Sequence, residues 1–359
     1  MIKVIIFGTG HLSQILEESL NNKIEVIGYL DNDHTKWNNI HNGKIINNPK
    51  NINEYKYDYI LIGSQYNEDI YNQLQSYRID KKKIFQFSKY IEYNIDYVNE
   101  GIEQVLKTKS LETIVTGISY AKCGFRDEIY NKKSVNLAYG SQDLYYDYHI
   151  IKFILEKQYV KDLKEVIIGL SYYSFQYDMS LSSMKNKVVL YYKNIGLKHN
   201  IKNIDSLVDG LEETLIIGKQ IFNFNNTNNN CIIKWAKIED FKSYEKGKYQ
   251  AGIDCNKSYP NTVSENIQIL KNYLNILKEN NIKPIIVVFP ASKYYTKYFS
   301  KKIEKEFFDI LNGIKREYEF QYIDYFRANL FDDGDFRDVS HLSYNGAVKF
   351  TRILNKLIT

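Results

Sequence analysis

Apolar residues run along this chain in two rhythms. Short continuous apolar runs, at 2–7, 24–30, 57–62, 84–87, 113–117, 133–138, 164–170, 283–289 and 322–325, have the length and composition of strands buried on both faces. Between them apolar residues recur every three or four positions: Leu12, Ile15, Leu16 and Leu20; Ile91, Ile95, Val98, Ile102 and Val105; Ile267, Leu270, Leu274 and Leu277; Val348, Phe350, Ile353, Leu354 and Leu357. That spacing predicts amphipathic helices. Strands alternating with helices predict an α/β chain with parallel sheets, and ligands of such sheets bind where the strands end.

The pattern divides the chain. Residues 1–90 hold four strands and a helix at 68–77, enough for one small sheet domain, and 91–109 read as a bridging helix. A second domain is expected over 110–359, with helices at 145–156 and 264–280 and a last helix capped by Ser343. Periodicity fails between about 175 and 260, where the polar run 223–230 reads as an exposed loop within an insertion able to cover a site. Ser264 is the expected cap of the helix that follows.

At 359 residues the chain is long enough for both domains, and its 44% hydrophobic and 25% charged residues fit a soluble globular protein. The net charge of +5 arises from 48 basic and 43 acidic residues spread along the length, which argues against nucleic-acid binding. Cys123, Cys231 and Cys255 are odd in number and widely spaced, so neither a disulfide framework nor a thiolate metal site is expected. His11, His34, His41, His149 and His199 form no ligand spacing either, and no metal is expected. No run approaches the roughly 18 apolar residues of a membrane span, the N-terminus enters a strand at once, and a cytoplasmic protein is expected.

Two places carry candidate chemistry. Near the N-terminus, Gly8-Thr9-Gly10-His11 follows the first strand, Asp31 follows the second and Ser64 the third. Glycines there let a backbone approach a phosphate, and an acidic residue after the second strand can bind a ribose. Ser13 stands where a third glycine of the fingerprint would fall. The other place pairs distant stretches. Asp338-Val339-Ser340-His341 stands just before the last helix, and an Asp three residues ahead of a His can fix the imidazole's tautomer. Gly117-Ile118-Ser119 ends a strand, and supplies a hydroxyl nucleophile at a turn.

These stretches also carry resemblances. Gly8-x-Gly10, Gly28-Tyr29-Leu30-Asp31-Asn32-Asp33 and Tyr57 to Ser64 resemble the small Rossmann-like domain at the N-terminus of sugar acyltransferases and other nucleotide-sugar proteins. That likeness implies a nucleotide or nucleotide-sugar held by Gly8, Gly10, His11, Asp31 and Ser64; a docking domain that binds none is the other reading. Gly117-Ile118-Ser119, the Gly140 turn, 283–290 and Asp338-x-x-His341 through Ala347 resemble the SGNH (GDSL) hydrolases, in particular the branch with the D-alanyl-lipoteichoic acid transfer and alginate acetylation proteins. This implies a flavodoxin-like three-layer α/β/α domain in which Ser119 is nucleophile, His341 general base and Asp338 its partner. The N–H groups of Ser119 and Gly140 would line the oxyanion hole.

The family's third block usually places an Asn at the strand exit, whereas Gly169-Leu170-Ser171-Tyr172 stands here; Ser171 or Asn136 are the candidate substitutes. The function so implied is a serine esterase or O-acyltransferase, with no cofactor for the acyl chemistry, acting on a sugar or surface-glycan precursor. A non-catalytic glycan-assembly or nucleotide-sugar-binding protein with a relict triad is the alternative. NAD-dependent oxidoreduction is disfavoured, because the first domain is short and no proton-donor motif accompanies it.

Overall fold

The computed structural model describes residues 1–222 and 243–358, which form two compact units. The first unit comprises 1–97 together with 180–222, and the second 98–179 together with 243–358. The exposed loop expected at 223–230, and Cys231, lie outside the described residues.

In the first unit, β1 (Ile2–Phe7), β2 (Ile24–Leu30), β3 (Ile40–His41), β4 (Lys44–Asn47), β5 (Tyr59–Ile62) and β6 (Ile84–Gln86) form one sheet in the order β3-β4-β2-β1-β5-β6. Every neighbouring pair is parallel except β3 with β4. Because successive side chains on a strand face opposite ways, the apolar run of β1 feeds two cores. Val4 and Ile6 pack with Ile15 and Leu16 of the helix His11–Ser19, and Ile5 and Phe7 pack with Ile70 and Leu74 of the helix Asn67–Ser76.

The second unit holds β7 (Thr113–Gly117), β8 (Ser134–Asn136), β9 (Glu165–Leu170), β10 (Lys283–Val288) and β11 (Gln321–Asp324), all parallel, in the order β11-β10-β9-β7-β8. This is the flavodoxin-like order, in which the direction of winding reverses beside the first strand and leaves a crevice at the strand ends. The helices Leu144–Glu156 and Pro260–Glu279 pack on each other, and Tyr344–Leu357 packs on the short helix Ser119–Gly124. The result is the three-layer α/β/α domain.

The divisions differ from those expected in three respects. The helical stretch about residue 95 is broken into Phe87–Asn94 and Tyr97–Lys107, and the second helix buries Val98, Ile102 and Val105. The irregular stretch about 175–260 is not one insertion. Its helix Leu211–Ile221 belongs to the first unit, with Ile217 and Ile221 in the core beside Val4 and Phe85, while the helix Tyr244–Cys255 belongs to the second. Finally, Pro260 opens the helix expected to start at Ser264, since its fixed φ suits a first turn; Ser264 lies inside that helix and its hydroxyl bonds back to the Pro260 carbonyl. Ser343 caps the last helix, accepting from the Gly346 N–H at 3.3 Å.

Candidate active site

The turn after β7 depends on a glycine. Gly117 has φ +131°, and a Cβ there would stand 2.3 Å from the Gly169 carbonyl oxygen on β9. No other residue tolerates both conditions. The chain therefore turns sharply, and Ser119 becomes the first residue of the helix Ser119–Gly124, half-buried at the end of the sheet.

The segment 337–342 is held from two sides. Phe336 and Leu342 form an antiparallel bridge, the Arg337 N–H donates to the His341 carbonyl at 3.0 Å, and the Ser292 hydroxyl beyond β10 donates to the Val339 carbonyl at 2.7 Å. This places His341 Nε2 at 2.8 Å from Ser119 Oγ, and His341 Nδ1 at 2.9 and 3.0 Å from the two Asp338 carboxylate oxygens. With the Nδ1 proton donated to Asp338, Nε2 is left as the acceptor for the serine O–H. Asp338 also accepts from the backbone N–H groups of Ser340 and His341, each at 2.9 Å. Burial raises its pKa, but the charge and hydrogen bond of His341, the Ser340 amide and the Arg337 guanidinium outweigh burial and bring it down to about 2. A hydroxyl, an imidazole and an ionised carboxylate in this order can move a proton off the hydroxyl.

Of the other expected residues of this site, Gly140 lies in the loop after β8, which is tied to the serine turn by the Tyr139 N–H donating to the Gly117 carbonyl at 3.1 Å. Ser171 follows β9, but its amide already donates to Ser174 Oγ at 2.9 Å. Asn136 spends its side-chain N–H on the Ala121 carbonyl at 3.2 Å. That leaves Asn136 a second side-chain N–H and Ser171 its hydroxyl, which shares a 3.2 Å contact with Ser174 Oγ. What the sequence reading missed is a tyrosine wall. The Tyr120 ring lies 5.1 Å from the His341 ring, its hydroxyl donates to Tyr295, and Tyr295 donates to Asp254 at 2.8 Å. Only the adjacency of Tyr120 to Ser119 could have signalled it.

In the first unit, Gly8, Gly10, His11, Asp31 and Ser64 gather at the ends of β1, β2 and β5 as expected of a parallel sheet. Gly8 has φ +109°, and Gly10 precedes the helix that begins at His11. The Asp31 carboxylate is already engaged, accepting from Thr9 Oγ1 at 2.5 Å and from Lys36 Nζ at 3.0 Å. Burial opposes its ionisation, yet the bonds from Thr9, the Asp33 amide and Lys36 prevail and lower its pKa. The Ser64 hydroxyl accepts from the Tyr66 amide at 3.2 Å.

The sheet order makes the second unit a flavodoxin-like α/β/α domain with a Ser119, His341 and Asp338 hydrogen-bond chain at its strand ends. Residues 217–359 match the family model described as DltD protein, and residues 1–85 match the one described as C2185-like, N-terminal. No curated protein matches the chain. Similar solved structures include a protein from Streptococcus pneumonia described as a platelet activating factor, with 9% identity, a TM-score of 0.37, and coverage of 76% of this chain and 99% of that one. A lipolytic-type protein of the G-D-S-L family from Desulfitobacterium hafniense shares 12% identity, with a TM-score of 0.35 over 70% of this chain and 100% of that one. A protein from Bacteroides fragilis described as an acylhydrolase shares 10%, with a TM-score of 0.36 over 72% and 94%. Among the described residues, no helix is long and apolar enough to cross a membrane.

Proposed function

We propose that this protein is a serine esterase or O-acyltransferase that acts on an acyl ester of a sugar or surface-glycan precursor through Ser119, His341 and Asp338. The observation that carries the reading is the unbroken hydrogen-bond chain from Ser119 Oγ through both ring nitrogens of His341 to an Asp338 held ionised. The match of residues 217–359 to the DltD family supports transfer onto a surface glycan.

In the reaction, His341 Nε2 takes the Ser119 proton as Oγ attacks the ester carbonyl carbon. The carbonyl oxygen becomes an oxyanion facing the N–H groups of Ser119 and the Gly140 loop. Collapse breaks the bond to the leaving alkoxide, which takes the proton from the imidazolium, and an acyl-Ser119 remains. Water or a sugar hydroxyl, deprotonated by His341, then attacks the acyl carbon, and Ser119 Oγ leaves with the proton. No cofactor enters these steps. The first unit, in this reading, presents its strand ends to the nucleotide portion of an activated sugar, with Asp31 exchanging Thr9 and Lys36 for a ribose hydroxyl.

The test is covalent labelling by a fluorophosphonate, read by intact mass, on wild type beside Ser119→Ala and His341→Ala. Stoichiometric labelling that disappears in Ser119→Ala and falls at least about 10³-fold in His341→Ala is expected. Absence of labelling in folded wild-type protein would favour the non-catalytic glycan-binding reading.

A further inference from the structure

Two residues outside the Ser119, His341 and Asp338 chain join the serine turn to the loop that carries Gly140. Asp147, on the helix Leu144–Glu156, accepts at Oδ1 from the Gly117 N–H at 2.8 Å and from Gln142 Nε2 at 2.6 Å. Gln142 Nε2 also donates to the Leu137 carbonyl at 3.1 Å. Both side chains are sealed from solvent, with Asp147 2% and Gln142 1% exposed.

We propose that Asp147 and Gln142 are a positioning pair that sets the distance between Ser119 and the Gly140 loop, and so shapes the oxyanion hole. The proposal rests on the reading of Ser119 as an acyl-transfer nucleophile. Its necessity follows from where the ladder stops. β8 ends at Asn136, which pairs with Val115, so Gly117, though still paired with Gly169 on β9, has passed the end of β8. The Tyr139 amide reaches the Gly117 carbonyl, and Asp147 supplies the acceptor that a strand would have given the Gly117 N–H. A buried amide left without an acceptor is strongly disfavoured.

The loop on the other side is itself under constraint. Ser141, next to Gly140, has φ +70°, a conformation non-glycine residues rarely keep unless their surroundings impose it. The Gln142 side chain on one flank, and the Tyr177 hydroxyl donating to the Ser141 carbonyl at 3.0 Å on the other, impose it here. Burial pushes the Asp147 carboxyl well above the ordinary aspartate range, and what joins the two segments is the geometry of its hydrogen bonds to Gly117 and Gln142.

The experiment compares Asp147→Asn, Asp147→Leu and Gln142→Leu with wild type in saturating fluorophosphonate labelling, thermal unfolding and amide hydrogen exchange. Asp147→Asn keeps an acceptor oxygen in place and is expected to label within about threefold of wild type. The two leucine variants are expected to lose about 10–100-fold in labelling rate at saturation, as a misplacement on the order of an ångström does, with little change in half-saturating probe. Their exchange is expected to quicken both at Gly117 and at residues 137–142. Folded leucine variants that label at the wild-type rate, or that leave exchange at both places unchanged, overturn the proposal, as does a folded Asp147→Asn that labels no better than Asp147→Leu. Should Asp147→Leu fail to fold, Gln142→Leu and Asp147→Asn decide. Wild type that takes no label sinks the Ser119 reading instead, and the exchange data still tell whether the pair clamps the two segments.

Discussion

Replacing Asp338 by Asn separates its two duties. The carboxylate accepts from His341 Nδ1, from two backbone amides at 2.9 Å and from the Ser340 hydroxyl at 3.2 Å. An amide of the same shape keeps one acceptor oxygen for those amides, so the 338–341 turn is expected to survive. It cannot, however, balance the charge of an imidazolium. Ionised Asp338 has its pKa brought from 3.8 to about 2, and each unit corresponds to about 1.4 kcal/mol. Because the side chain is 36% exposed, solvent screening reduces the net stabilisation to roughly 1 kcal/mol. A lowered carboxyl pKa contributes stability that is present above the unfolded-state value and is lost as pH falls through the folded one. Asp338→Asn is therefore expected to lower unfolding free energy by about 1 kcal/mol at pH 7 and to erase the difference from wild type near pH 2. Its effect on chemistry is far larger: the labelling rate of Ser119 should fall by about 10³–10⁴, since the amide stabilises the wrong tautomer of His341 and no charge supports the imidazolium. Urea unfolding at both pH values and a time course of fluorophosphonate labelling measure the two effects. A folded Asp338→Asn that labels within tenfold of wild type would refute the assignment of Asp338 as the partner of the base.

Gly117→Ala places a Cβ against the backbone of β9, which cannot swing aside, in a φ region that costs a non-glycine residue about 1–3 kcal/mol. Loss of at least about 3 kcal/mol in urea unfolding, together with loss of labelling, is expected; an unchanged midpoint would mean that the turn is not as tight as drawn. In the first unit, Lys89 and Glu68 form a 2.9 Å ion pair with 5% and 9% side-chain exposure, and burial lowers the lysine pKa against the pull of Glu68. Lys89→Met leaves a buried carboxylate unpaired and is expected to cost about 3–5 kcal/mol, most of it recovered in Lys89→Met/Glu68→Leu. Equal destabilisation of the single and double variants would show that the pair is not coupled.

What could be read in the sequence was whatever repeats locally or sits beside a strand end. The run ending at Gly117 marks β7 because five consecutive residues are buried, and Asp338 stands three residues before His341, close enough for one turn of chain to bring carboxylate and ring together. The helix Leu211–Ile221 lies where the apolar periodicity fails, and nothing in Ile217 or Ile221 says that their partners are Val4 and Phe85 of a sheet far earlier in the chain. Asp147 and Gln142 were likewise invisible. A lone Asp in the first turn of a helix looks like a partner for the helix dipole, and its bond to Gly117 exists only because β8 stops short. Ser171 lies where a donor belongs, and only the structure shows that a hydroxyl three residues on takes its amide and leaves its own hydroxyl as the donor to consider.

Two aspartates interact with His341 by charge, and their environments drive their pKa values in opposite directions. Asp338 is ionised by its hydrogen bonds and can support the imidazolium as it forms. Asp254 reaches the same imidazole by charge, from beyond Tyr295 and Tyr120, but burial pushes its pKa up despite the hydrogen bonds from Gln250 and Tyr295. The two carboxylates meet the imidazole differently: Asp338 by direct hydrogen bonds at 2.9 and 3.0 Å, Asp254 only by charge from beyond two tyrosines. Desolvation raises the pKa values of Tyr120 and Tyr295, so both remain neutral hydroxyls that can relay a hydrogen bond to Asp254 while adding no charge next to the base.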